Sequence, residues 1–159
     1  MPADLIDPGF EYCFELRCAV DEALPLGGSE PGEGLHFARV SGGEFDGPRL
    51  RGRVLDSGGD WWVARGLSVT LDARYVIEAE VPGGAAGVEV VNRGVWRTDP
   101  SSFERMLAGE DVGEAELYYR TAFVFRTEHP DLQWLTESQF VGYARPEPGF
   151  VVIRVFRLT

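Results

Sequence analysis

Asp60 is the carboxylate in this sequence whose neighbours best suit it to proton transfer. It opens a predicted strand, after Gly58 and Gly59 and before Trp61 and Trp62. A carboxylate beside an indole loses part of its hydration, which raises its pKa towards values that are useful in acid–base catalysis. The alternative is a turn aspartate that caps its own backbone, as aspartates do after glycines.

Three further side chains are candidates for catalysis. His36 shares a predicted inward face with apolar residues, and histidine is the residue type most often used for proton transfer, although a histidine in that position is also an ordinary core residue. Tyr119 offers a phenol as hydrogen-bond donor, or packs in the core. Arg74 would polarise a carbonyl or hydroxyl, or else would form an outer ion pair with Asp72 or Glu78.

A substrate pocket for an apolar molecule needs aromatic walls and a few polar groups. Neighbouring residues of a strand point to opposite faces, so one of Trp61 and Trp62 should line the pocket and the other should cover the outside. An outward indole would be covered by the helix or by a second copy of the chain, and the second case predicts a homodimer or higher homo-oligomer. The side chains predicted to bind substrate are Trp61, Trp134, Tyr75, Asn92, Phe123 and Arg53.

Composition argues against several classes of partner. The 159 residues carry a formal net charge of −11, which disfavours nucleic acid and anionic membrane surfaces. No apolar run approaches the length that crosses a bilayer, and the first residues do not resemble a secretion signal, so we expect a cytoplasmic protein. All 15 basic residues are arginine, which excludes lysine Schiff-base chemistry.

Metal and cofactor motifs are not found in the sequence. Cys13 and Cys18 lie five residues apart in a predicted strand, face opposite sides and lack metal-ligand spacing. The two histidines form no HxH or HxxxH pair, so we expect no zinc site. Neither a GxGxxG segment between strand and helix nor a P-loop is present, and we therefore expect no nucleotide cofactor.

The secondary-structure elements that must position these candidate side chains are mainly strands. Glycines and prolines recur about every ten residues between runs that are rich in valine, aromatic residues and arginine, which is typical of an all-β sandwich or barrel. About nine strands in one domain of residues 1–159 favour a closed antiparallel barrel, because closure removes edges. The predicted strands span residues 10–20, 35–40, 49–55, 60–65, 68–80, 87–94, 116–127, 138–145 and 150–158.

One helix is predicted, near residues 100–108. Asp99 is its N-cap, Pro100 occupies the first helical position and Gly109 ends it. Its apolar side should cover one end of the barrel. The segment 129–135 is predicted to form a single turn that places Trp134 against the body.

Five segments, in order and with compatible spacing, carry a family resemblance. They are GGEFDGPRLRGRVLDSGGDWW (42–62), LDARYVIEAE (71–80), VVNRG (90–94), YYRTAFVFRTEHPDLQWL (118–135) and QFVGYAR (139–145). The chain resembles domain-of-unknown-function family 3237, the UPF0311-type proteins, over nearly its whole length. The resemblance implies a small antiparallel barrel of lipocalin-like (calycin) shape that often self-associates.

The residues and the resemblance together lead to two functional hypotheses. The first is a cofactor-independent enzyme that cyclises, isomerises or dehydrates an apolar, oxygenated, polyketide-like substrate inside the barrel, for example in spiroacetal formation. In it Asp60 or His36 would move protons while Tyr119 and Arg74 polarise the substrate. The alternative is a barrel that binds a hydrophobic ligand without converting it. A buried acid or base would favour the enzyme.

Overall fold

The computed structural model describes residues 3–28 and 33–159, and these form an antiparallel β-barrel with one α-helix. Two short 3₁₀ helices, Glu114–Glu116 and Pro130–Leu135, complete the described elements. The helix α1 spans Pro100–Leu107. The strands are β1 (Phe10–Val20), β2 (Leu24–Pro25), β3 (Glu33–Asp46), β4 (Gly52–Val54), β5 (Gly59–Arg65), β6 (Ser68–Val81), β7 (Gly84–Arg97), β8 (Tyr118–Arg126), β9 (Phe140–Glu147) and β10 (Phe150–Leu158).

Eight of these strands close into a ring. The order is β1, β3, β5, β6, β7, β8, β9, β10 and back to β1, and each strand pairs antiparallel with the next. Strand β2 adds to β3 outside the ring. Closure pairs the backbone groups that an open sheet would leave at its edges. The predicted all-β barrel with one short helix is confirmed.

Strands β4 and β5 share a single position in the ring, between β3 and β6. The predicted strand 49–55 is therefore shorter than expected, since only Gly52–Val54 pairs there before the chain turns. The turn ends at Gly58, whose φ of 61° is left-handed and where a Cβ would collide with the carbonyl oxygen of Arg74. This kink starts β5 and brings Asp60 into the ring.

A β-bulge in β1 changes which side chains face inward. The register with β10 shifts between Tyr12 and Phe14. Phe10 and Tyr12, which simple alternation predicts to be inside, are consequently exposed, while Cys13 is fully buried. From Phe14 onward the inward face follows the predicted pattern. Both cysteines are buried free thiols.

Aromatic and leucine side chains fill one end of the barrel, which we call the base. Phe125 is central there, with its ring centroid 6.1 Å from that of Phe14 and 5.2 Å from that of Phe140. The 3₁₀ helix Pro130–Leu135 lies across this end and buries Leu132 and Leu135 against the same cluster. The side chains that fill the base are thus buried.

Helix α1 lies at the opposite end, which we call the mouth. Asp99 caps it by accepting a hydrogen bond from the backbone N–H of Ser102 at 2.8 Å, as predicted. Gly109 follows the helix with a φ of 80°, which suits a C-terminal stop. Met106 packs from the helix onto the barrel core. Within residues 3–28 and 33–159, no helix is long and apolar enough to cross a membrane.

Leu135→Ala should destabilise the barrel strongly, because Leu135 is 1% exposed and plugs the base. We expect the free energy of unfolding to fall by about 2–5 kcal/mol, measured by urea denaturation. Leu107→Ala is the matched control, because that leucine is 73% exposed at the end of α1. Similar losses in the two variants would contradict a sealing role for the base.

Candidate functional site

A cavity opens at the mouth and narrows into the barrel. Its outer chamber has a volume of about 310 Å³, and its inner chamber has about 30 Å³. Five residues line both chambers and mark the passage between them: Val20, Asp60, Leu71, Tyr119 and Val151. The cavity lies within the ring, above the packed base.

The walls of the outer chamber are largely apolar. Trp62 and Trp96 contribute the two indoles, and Met106 of α1 covers part of the opening. Trp96 pairs with Tyr119 across β7 and β8 and with Val69 across β6 and β7, so these three side chains face the same way. A chamber with such walls suits a flat apolar ligand of modest size.

The inner chamber is polar where the outer one is apolar. Tyr75, Asn92 and Thr121 project into it from β6, β7 and β8, and each is at least nine-tenths buried. Gly94 and Gly142 flank Thr121 on the neighbouring strands, and a Cβ at either position would collide with its side chain. The two glycines therefore make room for this threonine.

Three polar atoms of the inner chamber lack a hydrogen-bond partner among the described residues. They are Oη of Tyr75, which lies beside the weakly polar Cys18 thiol, Oδ1 of Asn92 and Oγ1 of Thr121. A buried polar atom that makes no hydrogen bond costs about 1–3 kcal/mol, so such atoms are uncommon in folded proteins. Three of them around one small space make the inner chamber a candidate binding site.

Asp60 lies where the two chambers meet. Strand β5 places it opposite Ala38 of β3 and Ala73 of β6, on the inward face. Its Oδ1 accepts a hydrogen bond of 3.2 Å from the backbone N–H of Asp72. Burial raises the pKa of Asp60 to about 6; the charge of Asp72 acts in the same direction, and the Asp72 N–H opposes it.

The other titratable groups of the inner chamber stay protonated near neutral pH. Burial raises the pKa of Tyr119, and the nearby charge of Asp60 raises it further. Burial also raises the pKa of Tyr75 well above its usual value, and that of the Cys18 thiol to about 12. These groups can donate hydrogen bonds, whereas Asp60 is the one that changes protonation state near neutral pH.

The structure places Trp62 in the cavity and Trp61 on the outside. Because Asp60 faces inward, strand alternation turns Trp61 outward, where it is 44% exposed and packs on Phe37 with 4.7 Å between the ring centroids. The assignment of Trp61 to the cavity wall is therefore corrected to Trp62. The exposed indole of Trp61 borders a shallow hollow on the outer surface that also includes Arg74.

His36 lies at the rim of the mouth. It is half-buried and stacks on Trp62 with the ring centroids 4.0 Å apart and the planes 8° apart, but it does not line either chamber. Its Nδ1 is 3.2 Å from the carbonyl oxygen of Gly34. This geometry makes His36 a support for the Trp62 indole rather than a base within the cavity.

Arg74 and Arg53 both lie on the outer surface. Nη2 of Arg74 is 2.7 Å from Oε2 of Glu89, and Nε of Arg53 is 3.0 Å from Oε1 of Glu78. The predicted partners of Arg74, Asp72 and Glu78, are instead bound by other arginines. Neither guanidinium reaches the cavity, so the structure does not bring them together with Asp60.

Phe123 and Trp134 lie below the cavity, towards the base. Phe123 is 2% exposed and stacks on Phe125 at 5.3 Å between centroids. Trp134 packs on Phe140 and carries the guanidinium of Arg49 over its ring at 4.4 Å. Of the residues predicted to bind substrate, Tyr75 and Asn92 line the cavity, and these two aromatic residues belong to the core beneath it.

Sequence reasoning missed several lining residues. Thr121 and Trp96 carried a detectable signal, since each shares the inward face of its strand with a residue that was selected, Tyr119 and Asn92 respectively. Met106 belongs to the helix that is predicted to cover one end of the barrel, and it also lines the outer chamber. Among residues 3–28 and 33–159, no cluster of three or more histidine, cysteine or acidic side chains is arranged to hold a metal.

Comparisons with known proteins agree with this architecture. A relative from Rhodopseudomonas palustris (strain TIE-1), called "UPF0311 protein", is 30% identical over 150 residues, which cover 93% of this chain and 95% of the relative. The crystal structure of a conserved protein of unknown function from Rhodopseudomonas palustris matches with a TM-score of 0.84 at 29% identity, and covers 98% of this chain and 99% of that one.

A more distant structure shares the fold alone. It is described as an enzyme from Penicillium herquei, and it matches with a TM-score of 0.72 at 16% identity over the full length of both chains. The family profile "Protein of unknown function (DUF3237)" matches residues 8–158, which is nearly the entire barrel. The chain belongs to the DUF3237 family.

Proposed function

We propose that the protein is an enzyme that performs acid–base chemistry on an apolar, oxygenated small molecule held in the barrel. The reaction class is cyclisation, isomerisation or dehydration, of which spiroacetal formation from a dihydroxyketone is one example. The side chains of the cavity supply the chemistry. The observation that carries the proposal is the position of Asp60, half-buried between an apolar chamber and a polar one.

A carboxyl group with a pKa of about 6 suits both directions of proton transfer. As carboxylate it accepts a proton from a hydroxyl or an activated C–H of the substrate, and as carboxylic acid it returns that proton to a leaving oxygen. A pocket that only stored a hydrophobic ligand would not need a desolvated carboxyl at this point. Placing one there costs stability, which indicates selection for a chemical role.

Two phenols support Asp60. Tyr119 lines the passage beside it, and Tyr75 lies deeper in the inner chamber. Both stay protonated, so each can donate a hydrogen bond to an oxygen on which negative charge develops. Arg74 and His36 have no part in this version of the mechanism, because the first lies outside the barrel and the second is at its rim.

The outer chamber would hold the substrate in a reactive shape. Trp62 and Trp96 present flat apolar surfaces there, and Met106 can adapt to the outline of the ligand. Restricting a flexible chain to its reacting conformer contributes several kcal/mol to a cyclisation. The likeness to the Penicillium herquei enzyme concerns the fold alone, and supports the proposal only because a barrel of this shape occurs in an enzyme.

The direct test is capture and conversion of the natural ligand. The wild type and Asp60→Asn would each be incubated with a small-molecule extract of the organism that makes the protein, and their complexes compared by native mass spectrometry. We expect the variant to retain a compound that the wild type releases as an altered product. If both proteins return the same unaltered compound, the barrel binds a ligand without converting it.

Trp62→Ala and Trp61→Ala form a matched pair for this experiment. Removing the indole that lines the outer chamber should reduce capture at least about tenfold, because a buried aromatic contact supplies much of the binding energy. Removing the outward indole should leave capture unchanged. Equal losses in the two variants would place the ligand elsewhere on the protein.

A second prediction concerns Asp60 as a base. Nitrobenzisoxazole is a flat aromatic probe, and a base that removes its ring C–H proton opens the N–O bond to give a coloured cyanonitrophenolate. We expect the wild type to catalyse this opening, with a rate that falls as pH drops below about 6, because Asp60 must be ionised to accept the proton.

Asp60→Asn should slow that reaction at least about a hundredfold. Tyr119, Tyr75 and Cys18 face the same space but stay protonated, and Asp72 and Asp21 lie at the edge of the site, so none should replace Asp60 as base. A rate that is unchanged in the variant, or that does not depend on pH between about 5 and 7, would show that Asp60 is not the base.

The raised pKa of Asp60 also predicts a change in stability with pH. The pKa is about 6 in the folded protein against a usual 3.8, so ionisation of Asp60 favours the unfolded chain. The stability contributed by protonated Asp60 is fully present below pH 4 or so and is lost as pH rises through about 6. Asp60→Asn should therefore raise the free energy of unfolding by on the order of 2 kcal/mol above about pH 7, and by little near pH 4.

Urea denaturation at the two pH values measures this difference. Glu137→Gln removes one negative charge from an exposed position and is the control for the net charge of −11. An increase in the free energy of unfolding that is the same at both pH values, or that also occurs in Glu137→Gln, would show that the surroundings do not raise the pKa of Asp60.

A further inference from the structure

The inner chamber has a polarity that proton transfer by Asp60 does not explain. Tyr75 and Asn92 are each 4% exposed and Thr121 is 6% exposed, and all three line this chamber and carry a buried side-chain oxygen that makes no hydrogen bond. They come from three adjacent strands of the ring, so their relative positions are fixed by backbone pairing. Such a rigid set of unsatisfied groups is suited to bind one specific group of a ligand.

The size of the inner chamber limits what that group can be. Its volume of about 30 Å³ has room for one or two non-hydrogen atoms, whereas the outer chamber of about 310 Å³ can hold a small ring system. A ligand must therefore enter with a single small polar group leading and its apolar body following. The order of the chambers sets this orientation.

The hydrogen-bonding character of the three atoms narrows the choice further. Oδ1 of Asn92 can only accept, while the hydroxyls of Tyr75 and Thr121 can donate or accept. A group that satisfies Oδ1 of Asn92 must donate a hydrogen bond, and a hydroxyl does so while its lone pairs can accept from the hydroxyls of Tyr75 and Thr121. A carbonyl or ether oxygen has no hydrogen to give and would leave the Asn92 oxygen without a partner.

Charge excludes another class of ligand. In the part of the chain that the structure describes, the charged side chains that line the two chambers are Asp60 and Asp21, and no arginine or histidine lines either one. Asp21 is neutralised at the rim by Arg39, with 2.8 Å between Oδ2 and Nε. A carboxylate or phosphate in the inner chamber would face Asp60 in a desolvated space with no cation beside it.

We infer that the inner chamber binds one uncharged hydroxyl of the substrate, and that the substrate is a neutral alcohol or phenol with an apolar body. This inference rests on the proposed function in taking the cavity to be the reaction site. The hydroxyl donates to Asn92 and accepts from Tyr75 and Thr121, while the apolar body lies between Trp62 and Trp96. Carboxylic acids and phosphate esters are excluded.

Isothermal titration calorimetry with three naphthalene derivatives tests the inference at about pH 7, where Asp60 is ionised. β-Naphthol carries a neutral hydroxyl, β-naphthoate carries a negative charge and β-methylnaphthalene has no polar group. We expect β-naphthol to bind at least about tenfold more tightly than either of the others. Equal affinity for β-naphthol and β-naphthoate would overturn the inference, as would failure of β-naphthol to bind.

Variants of the same shape locate the subsite. Tyr75→Phe and Thr121→Val each remove one hydroxyl from the inner chamber, and should cut the preference for β-naphthol over β-methylnaphthalene by about fivefold or more. Tyr118→Phe and Thr70→Val make the same changes on the outer surface and should leave the preference intact. A preference that survives both inner variants would overturn the assignment.

Thermal unfolding without ligand separates this subsite from a structural water site. Replacing an unpartnered hydroxyl by an apolar group of the same shape should leave the melting temperature unchanged or raise it. A clear loss of stability in both Tyr75→Phe and Thr121→Val would show that a water molecule permanently fills the chamber, and would overturn the inference.

Binding by Asp60→Asn distinguishes this inference from the proposed function. The variant should still prefer β-naphthol over β-methylnaphthalene, because the three groups that would hold the hydroxyl, those of Tyr75, Asn92 and Thr121, are unchanged. It should bind β-naphthoate more tightly than the wild type does, because the opposing charge is gone. If Asp60→Asn no longer converts the substrate but still prefers β-naphthol, the result concerns the role of Asp60 alone. If the wild type does not prefer β-naphthol over β-methylnaphthalene, the subsite is overturned and the role of Asp60 is unaffected.

Discussion

Backbone pairing of β1 with both β3 and β10 closes the sheet into a ring, and the site depends on that closure. A closed ring fixes the register of every strand, and register determines which side chains face inward. Asp60, Tyr75, Asn92 and Thr121 come from four consecutive strands and meet inside without help from any flexible segment. The arrangement is rigid because a shift of one residue would turn a whole strand inside out.

The interior of this ring is divided between stability and chemistry. Towards the base, phenylalanine and leucine side chains pack in one buried cluster. Towards the mouth, the same strands place a carboxyl group, two phenols, an amide and a hydroxyl in a poorly solvated space, where several of them lack partners. The packed base offsets the cost of these groups, so the filled half of the barrel makes the polar half possible.

Strand alternation predicts inward positions for Tyr75 and Tyr119, whereas Asp60 and Asn92 are candidates because of their chemistry, and the family resemblance adds the barrel. Asp60 and Trp61 cannot both face the cavity, because neighbouring residues of a strand point to opposite faces. Since Asp60 faces inward, Trp62 must face inward as well. The bulge at Tyr12–Phe14 and the kink at Gly58 arise from long-range pairing that local patterns do not reveal.

Trp134 lies outside the cavity because its 3₁₀ helix packs on the base, and that tertiary contact cannot be predicted from local sequence. Thr121 was missed because threonine is common in strands whatever its surroundings.

The change from an apolar outer chamber to a polar inner one has a consequence for the heat of binding. Burial of a ligand's apolar body against Trp62 and Trp96 would give a negative heat-capacity change that grows with the size of that body. Hydrogen bonds formed in the inner chamber would appear mainly as a favourable enthalpy that does not depend on the size of the body. A ligand series that varies only in its ring system would therefore change the temperature dependence of binding, while one that varies only in its leading group would shift the enthalpy.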